Sequence, residues 1–335
     1  MPIPFLVGAA IAATVGYGVK KGIDAHDDQE TANYVNEEAQ EIVDKAKKVA
    51  EKSRKNSGTA IKNLGNTKVK ILNESVMPFI DVFKKINNIE LSDSKGLDEI
   101  KNLKIDKDFF VELREMGTMA SSLASGVASG ATMGAITAFG AYGAAGALGA
   151  ASTGAAITGL SGVAATNATL AFLGGGSLAA GGLGVAGGTA VLGGLVAGPA
   201  IAVLGAFAAS KASANKERAF SNLAKAREFE EEMKTVKTLC DGIADRAKLF
   251  ENLIGKLDKL FFVQYCALKE VVKDFGTDYR KYTAKEKRVV ATSLSTLATI
   301  KAILDTPILT ENGTLTKESK MVANNVENFV LEQEL

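Results

Sequence analysis

The chain has 335 residues, 47% of them hydrophobic, and 39 Lys and Arg against 38 Asp and Glu give a net charge of +1. Near-neutral charge, with no basic stripe carrying interleaved aromatic residues, argues against nucleic-acid binding. The single histidine, His26, lies in a polar stretch beside Asp27 and Asp28, and Cys240 and Cys266 suggest neither a disulfide framework nor a metal site. No nucleophile, base and orienting group stand out, so we expect no enzyme and no cofactor.

The N-terminal segment, residues 1–22, is apolar from Ile3 to Val19, and Lys20 and Lys21 follow. A cleaved secretory signal would carry its positive charge before the apolar run, so this order argues against one. The run is shorter than the ~20 residues that span a bilayer. Two interpretations stay open: a membrane anchor, or a helix packed against the centre of the chain.

The first charged arm, residues 23–115, begins with a long helical pattern. From Tyr34 to Leu72, polar residues separate a heptad-spaced series: Val35, Ala39, Ile42, Ala46, Val49, Ser53, Ala60, Leu64 and Ile71. This series predicts one long helix with a narrow apolar seam, which ends before Pro78. A short amphipathic helix follows, with an apolar face made of Phe79, Val82, Phe83 and Ile86.

The uncharged segment, residues 116–210, contains no Asp, Glu, Lys, Arg or His and holds most of the 34 glycines. Its 95 residues far exceed the ~20 of one membrane crossing. Glycines at spacings of three and four residues let helix backbones approach closely in lipid. We predict membrane helix packing at Gly126, Gly130, Gly134, Gly140, Gly143, Gly146 and Gly149. Such a segment is weakly helical in water and better defined in a bilayer, so we interpret it as membrane-seeking.

Basic residues border the uncharged segment on both sides. They are Lys101, Lys104, Lys107 and Arg114 before it, and Lys211, Lys216, Arg218, Lys225 and Arg227 after it. The positive-inside rule would keep both arms in the cytosol and make the number of crossings even. We therefore expect a membrane-associated protein with cytosolic arms, in one version soluble until it inserts.

The second charged arm, residues 211–335, carries the stronger seam. Apolar steps of four and three predict a coiled coil through Phe229, Met233, Val236, Cys240, Ile243, Ala247, Phe250, Ile254, Leu257 and Phe261. After a slip, the pattern resumes at Tyr265, Leu268, Val272 and Phe275. The matched lengths of the arms suggest that they pair antiparallel. The alternative is that each seam packs in an ordinary helical bundle.

The C-terminal part opens with a capping box at Thr283 and Glu286, and the helix that follows ends before Pro307. Short extended pieces around Asn312–Gly313 predict a small hairpin, and a last helix runs from Lys317. No long stretch alternates at period two. The predicted fold class is all-α, with long amphipathic or coiled-coil helices flanking a Gly/Ala-rich apolar helical hairpin region.

Two runs carry a resemblance: GAASTGAAITGLSGVAATNATLAFLGGGSLAAGGLGVAGGTAVLGGLVAGPA and IKAILDTPILTENGTLT. They resemble a group of uncharacterised bacterial glycine-rich, glycine-zipper-like membrane proteins, some of them labelled chemotaxis protein, and the resemblance implies no established activity. More loosely, an apolar hairpin between amphipathic helices is similar in architecture to apolipoprotein-L-like and α-helical pore-forming proteins.

Two functions fit these patterns best. In the first, the protein inserts its uncharged segment into a lipid bilayer and forms a homo-oligomer, with pore formation in bacterial conflict or defence as the expected role. In the alternative, it is a constitutive membrane scaffold whose arms bind a cytosolic protein partner. A soluble structural bundle with a glycine-rich core is a third interpretation.

Overall fold

The computed structural model describes residues 25–89, 107–125, 136–143, 216–310 and 313–334. This part of the chain is almost entirely helical, which confirms the all-α prediction. Its long and medium helices are α1 (Ala25–Ile71), α2 (Met77–Phe83), α3 (Lys107–Ser125), α4 (Lys216–Phe275), α5 (Ala284–Asp305) and α6 (Lys317–Glu334). Residues 136–143 form a further short helix. The N-terminal segment and most of the uncharged segment lie outside the described residues.

The transition from α1 to α2 keeps the chain helical around Pro78. A π-helical turn, Leu72–Val76, joins the two helices, and Pro78 lies in the first turn of α2. The predicted long and short helices are therefore both present, but without a break between them. A wider turn suits this position because proline cannot donate the backbone hydrogen bond of a regular α-helix.

The buried face of α1 follows the predicted seam except at two positions. Val49 is 41% exposed whereas Ala50 is buried, and Val43 is buried in place of the half-buried Ile42. Both differences shift the seam by one residue. A straight α-helix drifts relative to a strict seven-residue repeat, so a heptad count displaces the apolar face over several turns.

The chain folds into two compact units, and each unit contains residues from both charged arms. Unit 1 contains residues 1–46 and 200–231. Within its described part, the buried Asn222 donates from Nδ2 to Oδ1 of Asn36 on α1, at 2.9 Å. A polar pair within an apolar seam fixes the register of two helices, because a slipped register would leave the amides unpaired.

Unit 2, residues 47–199 and 232–335, contains the larger hydrophobic core. The rings of Phe79 on α2 and Phe261 on α4 have centroids 4.9 Å apart. The core also includes Met116 and Met119 of α3, the helix in which the uncharged segment begins. The first residues of the uncharged segment therefore pack among helices of the charged arms.

The two long helices run parallel, so the predicted antiparallel pairing is wrong. In unit 2, the Ser57 side chain lies close enough to the Cys240 thiol to lower its pKa, and further along both helices Thr67 donates to Glu251 at 3.5 Å. Antiparallel neighbours are typical of helices with short connections. Here residues 72–215 separate α1 from α4, and that length of chain can return to the other end of α1.

The C-terminal elements follow the predicted order. The backbone N–H of Thr283 donates to the Glu286 carboxylate at 2.9 Å, and the reciprocal contacts of the capping box are present at the start of α5. After α5, Leu309 and Leu315 form an isolated antiparallel bridge, and Gly313 adopts a φ of 73°. The N–H of Thr310 donates to the carbonyl oxygen of Thr314 at 2.8 Å, and the N–H of Thr316 donates to that of Ile308 at 2.9 Å, so the predicted small hairpin is present before α6.

Candidate functional site: a docking site for the uncharged segment

Residues 136–143, here called the docked helix, place part of the uncharged segment in the core of unit 2. Ala138, Phe139 and Ala141 are fully buried, and Tyr142 is 9% exposed. These residues share a core with side chains of α1, α3, α4 and α5. The charged arms therefore form a frame that covers this part of the uncharged segment.

The docked helix and α1 cross where each helix has a glycine, Gly140 and Gly65 respectively. A Cβ atom on Gly140 would lie 2.2 Å from the carbonyl oxygen of Ile61, and a Cβ atom on Gly65 would lie 2.0 Å from the carbonyl oxygen of Ile136. Real Cβ atoms do not approach other atoms within 3.0 Å. Both positions therefore require glycine at this backbone separation.

The end of the docked helix also requires glycine. Gly143 has a φ of 64°, and a Cβ atom there would lie 2.3 Å from the carbonyl oxygen of Asp305. Of the seven glycines predicted to pack membrane helices, Gly140 and Gly143 thus pack against protein in this structure. The other five lie outside the described residues: Gly126, Gly130, Gly134, Gly146 and Gly149.

Backbone hydrogen bonds tie the docked helix to the C-terminal part of the chain. The carbonyl oxygen of Ala141 accepts from the N–H of Ile308 at 2.7 Å and from the N–H of Leu309 at 3.1 Å. Carbonyl groups in the last turn of a helix lack partners within that helix. The residues after α5 supply partners for this one.

Lys68 is a buried charge-bearing residue between two helix ends. Its side chain is fully buried, and Nζ lies 3.4 Å from the carbonyl oxygens of Phe139 in the docked helix and Leu304 in α5. Nζ also lies 5.2 Å from the centre of the Phe139 ring. The C-terminal end of a helix dipole favours a cation, so both carbonyl contacts favour the protonated form of Lys68.

Burial sets the charge of Lys68. It lowers the pKa of Lys68 from 10.5 to about 7, and the nearby carboxylate of Asp305 offsets only part of this effect. Burial also raises the pKa of Asp305, even though Lys301 lies 2.5 Å from its carboxylate. Lys301 contacts Glu112 on α3 at 2.6 Å as well. The ionisable side chains of Lys68, Asp305, Lys301 and Glu112 therefore alternate in sign from the core to the surface.

The predicted coiled-coil seam of α4 is buried within the chain. All ten of its residues from Phe229 to Phe261 are at most 6% exposed: Phe229, Met233, Val236, Cys240, Ile243, Ala247, Phe250, Ile254, Leu257 and Phe261. From Ile243 to Phe261 the seam belongs to the unit 2 core, which several other helices share. In this stretch the seam packs as part of a helical bundle, which was the alternative to a paired coiled coil.

The remaining polar candidates form no metal site among the described residues. Cys240 and Cys266 are free thiols, and the side chain of His26 is not among the described residues. Within the described ranges, no three His, Cys, Asp or Glu side chains are grouped to hold a metal ion. None of the described helices combines the length and the apolar character needed to cross a membrane.

Sequence reasoning missed Lys68 and Gly65, although a signal for one of them was present. Lys68 lies four residues after Leu64 and three residues before Ile71. This spacing places Lys68 itself in the apolar seam of α1. A lysine in an apolar seam indicates either a buried charge or a local break. Gly65 has no such signal, because its importance depends on which segment crosses α1 there.

Comparison of the chain with protein-family models, with curated proteins and with solved structures gives no match. The resemblances drawn from the glycine-rich runs therefore stay predictions. The docking site rests on the geometry of this chain alone.

Proposed function

We propose that this protein is membrane-active: it holds part of its uncharged segment against a helical frame and inserts that segment into a lipid bilayer, where copies assemble. The observation that carries this proposal is the docked helix, eight residues of the uncharged segment seated among helices of the charged arms. The role requires no catalytic group and no cofactor.

The docking contacts are few enough to be reversible. Of the large side chains on the docked helix, Phe139 and Tyr142 are buried, and each contributes ~1.5–3 kcal/mol at most. The buried Lys68 opposes docking through its desolvation. A bilayer acts on the whole uncharged segment: its 22 Leu, Ile, Phe and Val residues contribute ~0.3–0.6 kcal/mol each at the centre of a spanning helix, and it has no charged residue to oppose insertion.

Assembly in lipid is the second part of the proposal. Glycines at i, i+4 spacing allow close helix–helix packing where no apolar solvent effect drives association. Replacing Gly130 and Gly134 together with leucine should preserve vesicle binding, because the segment becomes more apolar, but should abolish assembly. Cross-linking of the vesicle-bound protein measures this. Undiminished oligomers would remove these two glycines from the packing face.

Topology follows from the basic borders of the uncharged segment. Under the positive-inside rule both arms stay on the cytosolic side, so the segment crosses the membrane an even number of times. Protease protection of the vesicle-bound protein tests this, since both arms should be digested from the same side.

Permeabilisation of dye-loaded vesicles by the full-length protein tests the proposed function. The vesicles contain equal parts of phosphatidylcholine and phosphatidylglycerol. Gly65→Ala should release dye at lower protein concentrations than the parent, because the added methyl group overlaps the Ile136 carbonyl and weakens docking by ~1–3 kcal/mol. Gly58→Ala is the matched control, since no atom lies within 4 Å of a Cβ at that position on the same helix.

The outcomes separate the candidate roles. The proposal is wrong if the parent protein binds no vesicles and Gly65→Ala acts no differently from Gly58→Ala. Vesicle binding without dye release in any variant would favour the alternative of a membrane scaffold whose arms bind a cytosolic partner. Dye release that increases with Gly65→Ala alone supports release of the docked helix as the controlling step.

A further inference from the structure

The outer face of α4 carries an apolar cluster that the bundle does not use. Phe262 is 57% exposed and Val263 is 66% exposed, and Cys266, one turn later, is also exposed. At ~100° per residue, Cys266 projects between Phe262 and Val263, so the three side chains span about 100° of the helix surface. The core of the same stretch is already filled by Phe261 and Leu268, which are fully buried. This second apolar surface is therefore not required for folding.

Exposed lysines surround this cluster. Between residues 255 and 275 the exposed charged side chains are Lys256, Lys259, Lys269, Glu270, Lys273 and Asp274, four cations against two anions. At ~100° per residue, Lys259, Lys273 and Glu270 project between Phe262 and Val263, so two of these three charges are positive. The outer face of α4 thus combines exposed apolar side chains with an excess of positive charge.

We infer that this face of α4, centred on Phe262 and Val263, is the surface by which the helical frame first binds an anionic lipid membrane. The inference rests on the proposed function and names the contact that precedes insertion. Apolar side chains would enter the boundary between headgroups and acyl chains while the lysines remain at the level of the anionic headgroups. Each lysine near such a surface contributes about fivefold in affinity.

The size of the cluster favours lipid over a protein partner. A stable protein interface buries roughly 800 Å² on each side and involves about 20 to 30 residues. The exposed apolar part of this face consists of Phe262, Val263 and Cys266. A bilayer surface requires no matching pocket, so a few apolar side chains with basic neighbours suffice for reversible binding.

Vesicle flotation with the full-length protein tests the apolar contribution. Phe262→Ser with Val263→Ser should weaken binding to vesicles of equal parts phosphatidylcholine and phosphatidylglycerol by at least ~10-fold. The control is Val111→Ser with Met321→Ser, which removes two side chains of similar exposure, 52% and 60%, from other helices. It should bind as the parent does.

The charge contribution has its own pair of variants. Lys256→Gln with Lys259→Gln should weaken binding to the anionic vesicles by ~30-fold and leave binding to pure phosphatidylcholine vesicles unchanged. Lys47→Gln with Lys48→Gln, two exposed lysines on α1, is the charge-matched control. Equal losses in both pairs would mean that net charge alone attracts the protein, which would overturn the assignment of this face.

Cys266 is a built-in reporter at the centre of the face. An environment-sensitive fluorophore on this exposed thiol should shift to shorter wavelength on anionic vesicles and be quenched by brominated lipid. An unchanged spectrum on vesicles that bind the protein would overturn the inference. So would self-association of the parent without lipid that Phe262→Ser with Val263→Ser abolishes, because a second copy would then cover the face.

The tests of this inference and of the proposed function can fail separately. Binding that depends on Phe262 and Val263, without dye release under any condition, would support the inference and contradict the proposed function. Equal dye release by the parent and by the double serine variant would support the proposed function and contradict the inference.

Discussion

Gly65 of α1 and Gly140 of the docked helix meet backbone to backbone, so that a Cβ atom on Gly140 would lie only 3.1 Å from the amide nitrogen of Gly65. Two helices reach this separation only where neither carries a side chain. One turn along α1, Lys68 contacts the carbonyl oxygen of Phe139 in the same short helix. The glycine contact and the titratable side chain of Lys68 therefore both bear on the docked helix, residues 136–143.

The crossing of the docked helix and α1 predicts that a glycine-to-alanine substitution has opposite effects on stability at Gly58 and at Gly65. Gly58→Ala should raise the free energy of unfolding by ~0.5–1 kcal/mol, because alanine is the better helix former and the site is open. Gly65→Ala should lower it by ~1–3 kcal/mol, because overlap with Ile136 outweighs the gain in helix propensity. Urea unfolding followed by circular dichroism measures both, and a stabilised Gly65→Ala would contradict the crossing.

The buried lysine predicts a pH dependence of stability. Because the pKa of Lys68 is about 7 in the folded protein and 10.5 when it is exposed, the unfolded chain binds more protons between these values. Stability should therefore rise with pH through this window, by about 1.5 kcal/mol between pH ~7 and ~8.5, and Lys68 adds no further change below pH 7. Asp305 has the opposite sign: its raised pKa lowers stability as pH rises from 3.8 to the raised value.

Lys68→Met tests which group causes that dependence. Methionine fills a similar volume without a charge, so the variant should be as stable as the parent or more stable by ~1–4 kcal/mol at pH 7. Its stability should also be flat across the window in which the parent changes. A variant that keeps the slope of the parent would assign the dependence to another group.

The capping box at the start of α5 predicts a graded loss. Thr283→Ala removes a side chain that bonds with Lys285 N–H and with the Glu286 carboxylate, and should lower the free energy of unfolding by ~1 kcal/mol. Thr283→Ser keeps the hydroxyl and should lose little. Chemical denaturation of the two variants checks this, and equal losses would mean that the methyl group, and not the cap, stabilises the helix.

The two cysteines predict a difference in reactivity. Cys240 is buried, and burial raises the pKa of its thiol, so little thiolate is present at neutral pH. Cys266 is exposed. Maleimide labelling followed by mass spectrometry should therefore modify Cys266 alone in the folded protein and both thiols in denaturant. Fast labelling of Cys240 without denaturant would show that α1 and α4 separate readily at this point.

Local sequence determined the helices and most of their ends. The capping box at Thr283 and Glu286 needs only residues within one turn, and the proline after α5 acts on its immediate neighbours. From Phe229 to Phe261 the apolar seam of α4 likewise predicted which residues are buried, because periodicity records which face of a helix avoids water, whereas Phe275 in the resumed part is 50% exposed. It could not say what covers that face.

Tertiary structure decided how the helices combine. The parallel direction of α1 and α4 depends on the path of the long connection between them. An apolar seam is the same for parallel and antiparallel packing, so it does not predict this direction. The docking of residues 136–143 depends on the match between Gly65 and Gly140, two positions that no local pattern relates. The burial of Lys68 follows from this docking, since Phe139 of the docked helix and Leu304 of α5 supply the carbonyl oxygens that its Nζ contacts.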